Sequence, residues 1–263
     1  MAPVAPELTG GGRATWLGHS TVLIELDGAR LLTDPVLRGR VGHLRRAAPP
    51  AALPDGVDAV LISHAHLDHL DPPSLACLGR DQRIVVPRGA ALPLRWRGFR
   101  HVEQVGAGDE VRVGPLAVRA TCADHPGQRY GALLPPWRRG ARPRALGYVV
   151  AGSRLAYFAG DTDLFEGMSG VAPELDLALL PIWGWGRRVG PGHMDPLRAA
   201  RALQLLRPAL AVPIHWGTLV SLWPPGAARE AAWEPAAAFH RSARELAPAV
   251  RVRVLPPGGS TPF

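Results

Sequence analysis

Residues 58–71 read DAVLISHAHLDHLD, an apolar run that breaks directly into His64, His66, Asp68 and His69. The run has the continuous apolar character of a strand buried on both faces, and its end is where a loop begins. Alternate residues of an extended backbone share a side, so His64 and His66 face one ion. Asp68 and His69, one bend later, are placed to face a second. Imidazole with carboxylate is a donor set that suits zinc, whereas oxygen donors alone would point to magnesium or calcium.

If the cluster is a two-metal site, further ligands should stand at other strand ends, and they do. His125 follows the run 116–123, Asp161 follows LAYFAG at 155–160, and His215 follows LAVPI at 210–214. Strands are also expected at 59–62, 83–86, 111–113, 116–120, 177–180, 209–214 and 250–255. Two hairpins are expected, TVLIELDGARLLT at 21–33 around Asp27-Gly28 and LGYVVAGSRLAYFAG at 146–160 around 151–153, and each runs into an aspartate, Asp34 and Asp161. That repetition suggests two β-rich halves, about 10–140 and 141–263. Asp195-Pro196 before LRAARALQLL is a helix start, with a capping aspartate and proline at the first helical position. Shorter helical spacing occurs at 72–78, and a longer stretch at 229–246 is interrupted near Pro235.

Composition bounds the rest. The chain has 263 residues, 47% hydrophobic and 20% charged, which fits a globular fold and excludes disorder. Its net charge of +8 would ordinarily point to nucleic acid or an anionic membrane. Every one of the 30 basic side chains is arginine, however, and there is no asparagine, which a biased, GC-rich coding sequence produces without an anionic partner. Two cysteines, Cys77 and Cys122, are too far apart for a thiol cluster and read as small buried or half-buried thiols. No basic leader with an apolar run and no stretch of about 20 apolar residues is visible, so a cytoplasmic protein without a transmembrane segment is expected.

With these residues in view, the chain resembles the metallo-β-lactamase superfamily, whose H-x-H-x-D-H motif stands unsubstituted at 64–69. It is most similar to the branch of N-acylphosphatidylethanolamine-hydrolysing phospholipase D and the ascorbate-6-phosphate lactonases. The marks are WLGHST at 16–21, LTDP at 32–35, SHAHLDHLD at 63–71, FAGDT at 158–162, GHMDP at 192–196 and IHWGT at 214–218. The resemblance implies an α/β fold, a four-layer αβ/βα sandwich forming a single domain over 1–263, with two zinc ions along one edge and Mn²⁺ or Fe²⁺ as substitutes. His64, His66 and His125 would hold one ion, Asp68, His69 and His215 the other, and Asp161 would bridge. Asp34 matches an aspartate that fixes a ligand histidine, although a plain Asp-Pro turn at a strand end explains it equally. Cys122, three residues before His125, is an alternative ligand.

The expected function is zinc-dependent hydrolysis of an ester, lactone or phosphodiester of a small or lipid-like substrate by a metal-bridging hydroxide. Asp68 would accept the water's proton or hold it in line. His193 would stabilise the oxyanion or protonate the leaving group, its bland reading being a locally bonded histidine before a helix. Trp183 and Trp185 form either an apolar rim or part of the core. The arginines within 38–46 and 138–144 either receive an anionic substrate group or are solvated. A nuclease of the same superfamily, with nucleic acid otherwise not the expected partner, and a non-catalytic metal-containing binding protein are the alternatives. A di-iron redox role is disfavoured, because His66 stands where the family's iron oxidoreductases are expected to carry a carboxylate. No oligomeric state follows from the pattern.

Overall fold

The structure is a computed structural model that describes residues 11–49, 52–127, 143–184, 189–221 and 234–263. Trp185 and the arginines at 138, 139 and 142 lie outside the described residues. The first part of the chain forms β1 (Arg13–Gly18), β2 (Thr21–Leu26), β3 (Ala29–Thr33), β4 (Arg40–Val41), β5 (Leu44–Arg46), β6 (Ala59–Leu61), helix α1 (Pro72–Cys77), β7 (Ile84–Pro87), helix α2 (Leu92–Arg95) and β8 (Val102–Val105). The second forms β9 (Glu110–Val113), β10 (Leu116–Cys122), β11 (Leu146–Ala151), β12 (Leu155–Phe158), β13 (Leu177–Pro181), helix α3 (Pro196–Leu206), β14 (Leu210–Ile214), β15 (Leu219–Ser221), helix α4 (Glu234–Leu246), β16 (Arg251–Val252) and β17 (Ser260–Pro262).

Two seven-stranded sheets result, ordered β17-β1-β2-β3-β6-β7-β8 and β16-β14-β13-β12-β11-β10-β9. Each joins an antiparallel meander to a parallel set: β1, β2 and β3 lead into β6, β7 and β8, and β9 to β12 lead into β13, β14 and β16. The chain leaves the first sheet after Val105 and enters the second at Glu110, so the change of sheet falls well before residue 140. The parallel strands β6, β7, β13 and β14 are buried at every position, which is why they read as unbroken apolar runs. In the meanders alternate residues part company: Ile24 and Leu31 join the core between the sheets, while Leu23 and Leu32 face the other way with Leu75, Leu94 and Phe99 of the α1 and α2 layer. Helices α3 and α4 bury Ala199, Leu203 and Phe239 against the second sheet. The order helix, sheet, sheet, helix is the expected four-layer αβ/βα sandwich. A small third sheet, β15-β5-β4, lies apart.

Local chemistry explains the helix starts. The Asp195 side chain accepts from the Arg198 amide at 2.8 Å, with Pro196 next in line, as the sequence predicts. Helix α4 is described from Glu234, with Pro235 next in line, and the part of the expected stretch before 234 lies outside the described residues. Strand β16 is shorter than expected, pairing only Arg251 and Val252 with β14. Both cysteines are exposed, against expectation: Cys77 lies in the last turn of α1 and Cys122 ends β10. No helix among the described residues is long and apolar enough to cross a membrane.

At the edge where the hairpin turns lie, the Ser153 amide donates to the Asp27 carboxylate at 2.6 Å, tying one meander to the other. The opposite edge collects the ends of β3, β6, β12, β13 and β14, followed respectively by Asp34, Ser63-His64, Asp161, Trp183 and His215. Open sheets of this kind present their functional groups beyond the carboxyl ends of parallel strands.

Candidate metal centre

Strand β6 delivers the histidine cluster. After Ser63 the chain folds into a turn in which the His69 and Leu70 amides donate to the His66 carbonyl at 3.1 and 2.8 Å. That turn swings Asp68 and His69 back toward the strand ends. It closes onto α1, whose capping Asp71 accepts from the Ser74 amide and from Arg38 Nε and Nη2 at 2.8 and 2.7 Å.

Three ring nitrogens meet on one side: His66 Nδ1 lies 2.9 Å from His64 Nε2 and 3.1 Å from His125 Nε2. On the other side Asp68 Oδ2 lies 3.4 Å from His69 Nε2 and 3.8 Å from His215 Nε2. Between them is Asp161, with Oδ2 at 3.1 Å from both His69 Nε2 and His215 Nε2, 3.4 Å from His193 Nε2 and 3.9 Å from His64 Nε2. His64, His66, Asp68, His69, His125, Asp161, His193 and His215 are therefore brought together. Cys122 is not among the clustered side chains of the described residues.

The far side of each ring is fixed as well. His125 Nδ1 donates to the Gly192 carbonyl at 2.8 Å and His215 Nδ1 to the Trp183 carbonyl at 2.6 Å. A carbonyl only accepts, so in the neutral ring Nδ1 carries the proton and Nε2 turns its lone pair inward. Asp34 does the same for two rings. It accepts from His69 Nδ1 at 2.7 Å, from the Ser63 amide at 2.7 Å and from the Ser63 hydroxyl at 2.5 Å, and that hydroxyl in turn lies 2.9 Å from His64 Nδ1. Asp34 thus orients ligand candidates and is more than a turn former. Two glycines allow the strand ends to close up. A Cβ on Gly160 (φ +61°) would stand 2.5 Å from Ser63 Cβ, and one on Gly192 (φ +75°) 3.0 Å from the His125 backbone.

Electrostatics follow from packing these groups without solvent. Burial pushes His64 well below the usual histidine range and His125 down to about 4, so both rings are neutral donors. Burial acts the same way on His69 and His215 and is the largest single influence, but the carboxylates together outweigh it, Asp161 and Asp68 at both rings and Asp34 also at His69, raising His69 well above its ordinary value and His215 to about 9. For Asp68 and Asp161 burial pulls upward and loses to the neighbouring histidines, which hold both carboxyls well below their normal range. Asp161 Oδ1 is buried with no hydrogen-bond partner among the described residues. The inward lone pairs of His64 and His125, beside two ionised carboxylates, form a site for cations.

A beta-lactamase superfamily domain matches residues 29–216. The chain belongs to the metallo-β-lactamase superfamily. It is 34% identical over 256 residues to a metal-dependent hydrolase of Methanopyrus kandleri, covering 94% of this chain and 98% of that one. It is 31% identical to the N-acyl-phosphatidylethanolamine-hydrolyzing phospholipase D 1 of Caenorhabditis elegans, covering 78% of this chain but only 64% of that longer protein. Among solved structures, the metallo hydrolase Igni18 of Ignicoccus hospitalis shares the fold with a TM-score of 0.71 at 24% identity, over 96% of this chain and 98% of that one. The protein is a metal-dependent hydrolase of this superfamily.

The structure adds one residue to the site. His19, in the turn between β1 and β2, is fully buried, with Nε2 3.1 Å from Asp68 Oδ2 and its ring centre 4.1 Å from that of His215. The usable signal was the same one that marked the others, a histidine directly after a strand. His19 (φ +53°), Asp34 (φ +33°) and His215 (φ +61°) all hold left-handed backbone. Trp183 is 5% exposed and belongs to the core, not to a rim. Arg38 is committed to Asp71, and Arg46 donates to the carbonyls of Val36 and Arg38.

Proposed function

We propose that this hydrolase holds two zinc ions and cleaves an ester, lactone or phosphodiester of a small or lipid-like substrate. His64, His66 and His125 hold the first ion, and Asp68, His69 and His215 the second. The observation that carries the reading is the position of Asp161, whose Oδ2 is within 3.9 Å of ring nitrogens from both groups. The donor spacing fits. Zn–N bonds of 2.0–2.1 Å in a tetrahedron separate ligand atoms by about 3.3 Å, close to the 2.9 and 3.1 Å between the His64, His66 and His125 nitrogens. Borderline nitrogen with carboxylate oxygen favours zinc, with Mn²⁺ or Fe²⁺ as substitutes.

When bound, such ions lower the pKa of water from 15.7 toward about 7 and polarise the group under attack. The chain's own residues do the rest. Asp68, kept ionised by its histidine neighbours, is suited to accept a hydrogen bond from the attacking water and hold it in line. His193 Nε2, beside Asp161, delivers a proton to the leaving oxygen. The His193 and Asp68 side chains are 18% and 13% exposed, so the substrate approaches from their side. Arg38 and Arg46 are engaged by Asp71 and by backbone carbonyls, whereas Arg40 and Arg45 of the same cluster are exposed.

The test is hydrolysis of phosphodiester, phosphomonoester, lactone and thioester substrates by zinc-loaded protein, with metal analysis of two variants. Asp161→Ala is expected to lose activity and metal together, and His193→Ala to lose rate but keep two ions. An Asp161→Ala protein with both ions in place would overturn the bridging role, and inactivity across the whole panel would favour a binding protein.

A further inference from the structure

Seven side chains account for the proposed metal shells, and Asp34 orients two of them. His19 is left over, yet it is the most firmly anchored histidine of the site. Its amide donates to Thr218 Oγ1 at 2.9 Å, and its carbonyl accepts from the His215 amide at 2.9 Å and from Trp16 Nε1 at 2.8 Å. It follows Gly18 (φ +110°) in a hairpin turn where both residues have positive φ, a place that favours glycine or asparagine. Left-handed backbone costs a residue with a Cβ roughly 1–2 kcal/mol. A histidine is therefore held there against local preference, fully buried, with its ring among the ligand candidates.

We propose that His19 is the positioning residue for Asp68, donating from Nε2 to Oδ2 so that the carboxylate is held with this oxygen turned toward His69 and His215, the other residues proposed for the second ion. The 3.1 Å contact has hydrogen-bond geometry, so one carboxylate oxygen is occupied by His19. The backbone connection matters as much. Because the His215 amide donates to the His19 carbonyl, one residue sets the orientation of Asp68 through its side chain and of His215 through its main chain. Three of the residues around the second ion thereby belong to one hydrogen-bonded unit whose anchor, Thr218, lies beyond His215. Orienting partners of this kind typically change metal affinity or activity 10–100-fold when removed.

The inference rests on the two-ion reading, and the experiment separates the two. Wild-type, His19→Ala and His19→Gln proteins are loaded with zinc and, separately, with Co²⁺. The readouts are metal stoichiometry at saturation, the rate at which a chelator removes each ion, the Co²⁺ absorption bands and the thermal midpoint. The expected result is two ions in all three proteins, with one ion leaving His19→Ala 10–100-fold faster and its Co²⁺ bands shifted, and with His19→Gln, whose amide also donates, restoring most of both. Loss of one ion at saturation from both variants would make His19 a ligand and overturn the proposal. Unchanged chelation and bands in His19→Ala, whatever its thermal midpoint, would overturn it as well. A wild-type protein that takes up no second ion would instead fail the underlying two-ion reading, and this inference with it.

Discussion

Asp34 carries more of the site than its distance from any substrate suggests, and replacing it by alanine makes this measurable. Three donors converge on the carboxylate: the Ser63 amide, the Ser63 hydroxyl and His69 Nδ1, all in surroundings where Asp34, Ser63 and His69 have no exposed surface. The hydroxyl can rotate away, but the amide and the ring N–H cannot. Each stranded buried donor costs about 1–3 kcal/mol, so the metal-free protein should lose roughly 2–6 kcal/mol. For a chain of this size that is a fall of about 4–24 °C in thermal midpoint. Circular dichroism melts in excess chelator measure it without interference from bound ions. The second consequence is separate: His69 and His64 lose their orientation together, and divalent metal affinity, read by competition with a chromophoric chelator, should drop 10–100-fold. Asp34→Gly should melt higher than Asp34→Ala, because glycine relieves the φ of +33°. A metal-free Asp34→Ala protein melting within about 1 °C of wild type, with unchanged metal competition, would refute the reasoning.

Two further outcomes follow from packing and charge. Gly160→Ala should cost more than about 3 kcal/mol and impair metal loading, since its Cβ would meet Ser63 Cβ at 2.5 Å and the Leu146 carbonyl at 2.9 Å; Gly167→Ala, with φ also positive (+86° against +61°) but open space, should cost only about 1–2 kcal/mol, and equal losses would dismiss the steric account. The Ser153 hydrogen bonds hold the Asp27 carboxyl below its ordinary 3.8, so its stabilising effect is complete above that value and disappears as pH falls through the lower folded-state value. The stability gap between wild type and Asp27→Ala should accordingly close in acid, and urea denaturation showing the same gap at both ends of the pH range would contradict this.

What was legible in the sequence was whatever depends on near neighbours. The hairpins β2/β3 and β11/β12, the buried runs of β6, β13 and β14, and the cap of α3 are each written within a dozen residues. The seven ligand candidates and Asp34 were legible for the same reason, each following an apolar run that announces a strand end. Strand β17 was not, because its pairing with β1 joins Arg13 to Pro262, and no local pattern encodes a partner at the other end of the chain. Strands β4, β5 and β15 are two or three residues long and carry Arg40, Arg45 and Arg46, too short for alternation to show. The cysteines were misread because composition says nothing of which face of α1 or which end of β10 they occupy. His19 stands within the WLGHST mark and follows a strand as the other ligand candidates do, but its partner Asp68 is remote in sequence, so only the fold shows that it joins the site.

The left-handed backbone at His19, Asp34 and His215 has a consequence for how this chain changes over generations. At each of these positions glycine would relieve the backbone, although at Asp34 it would also strand the buried donors that the carboxylate now accepts from. A descendant freed from hydrolysis would drift to glycine at His19 and His215 before Asp34, while one still at work would keep three side chains that its backbone resists. The positions thus act as a ledger of use, readable in any lineage of the chain without measuring a reaction.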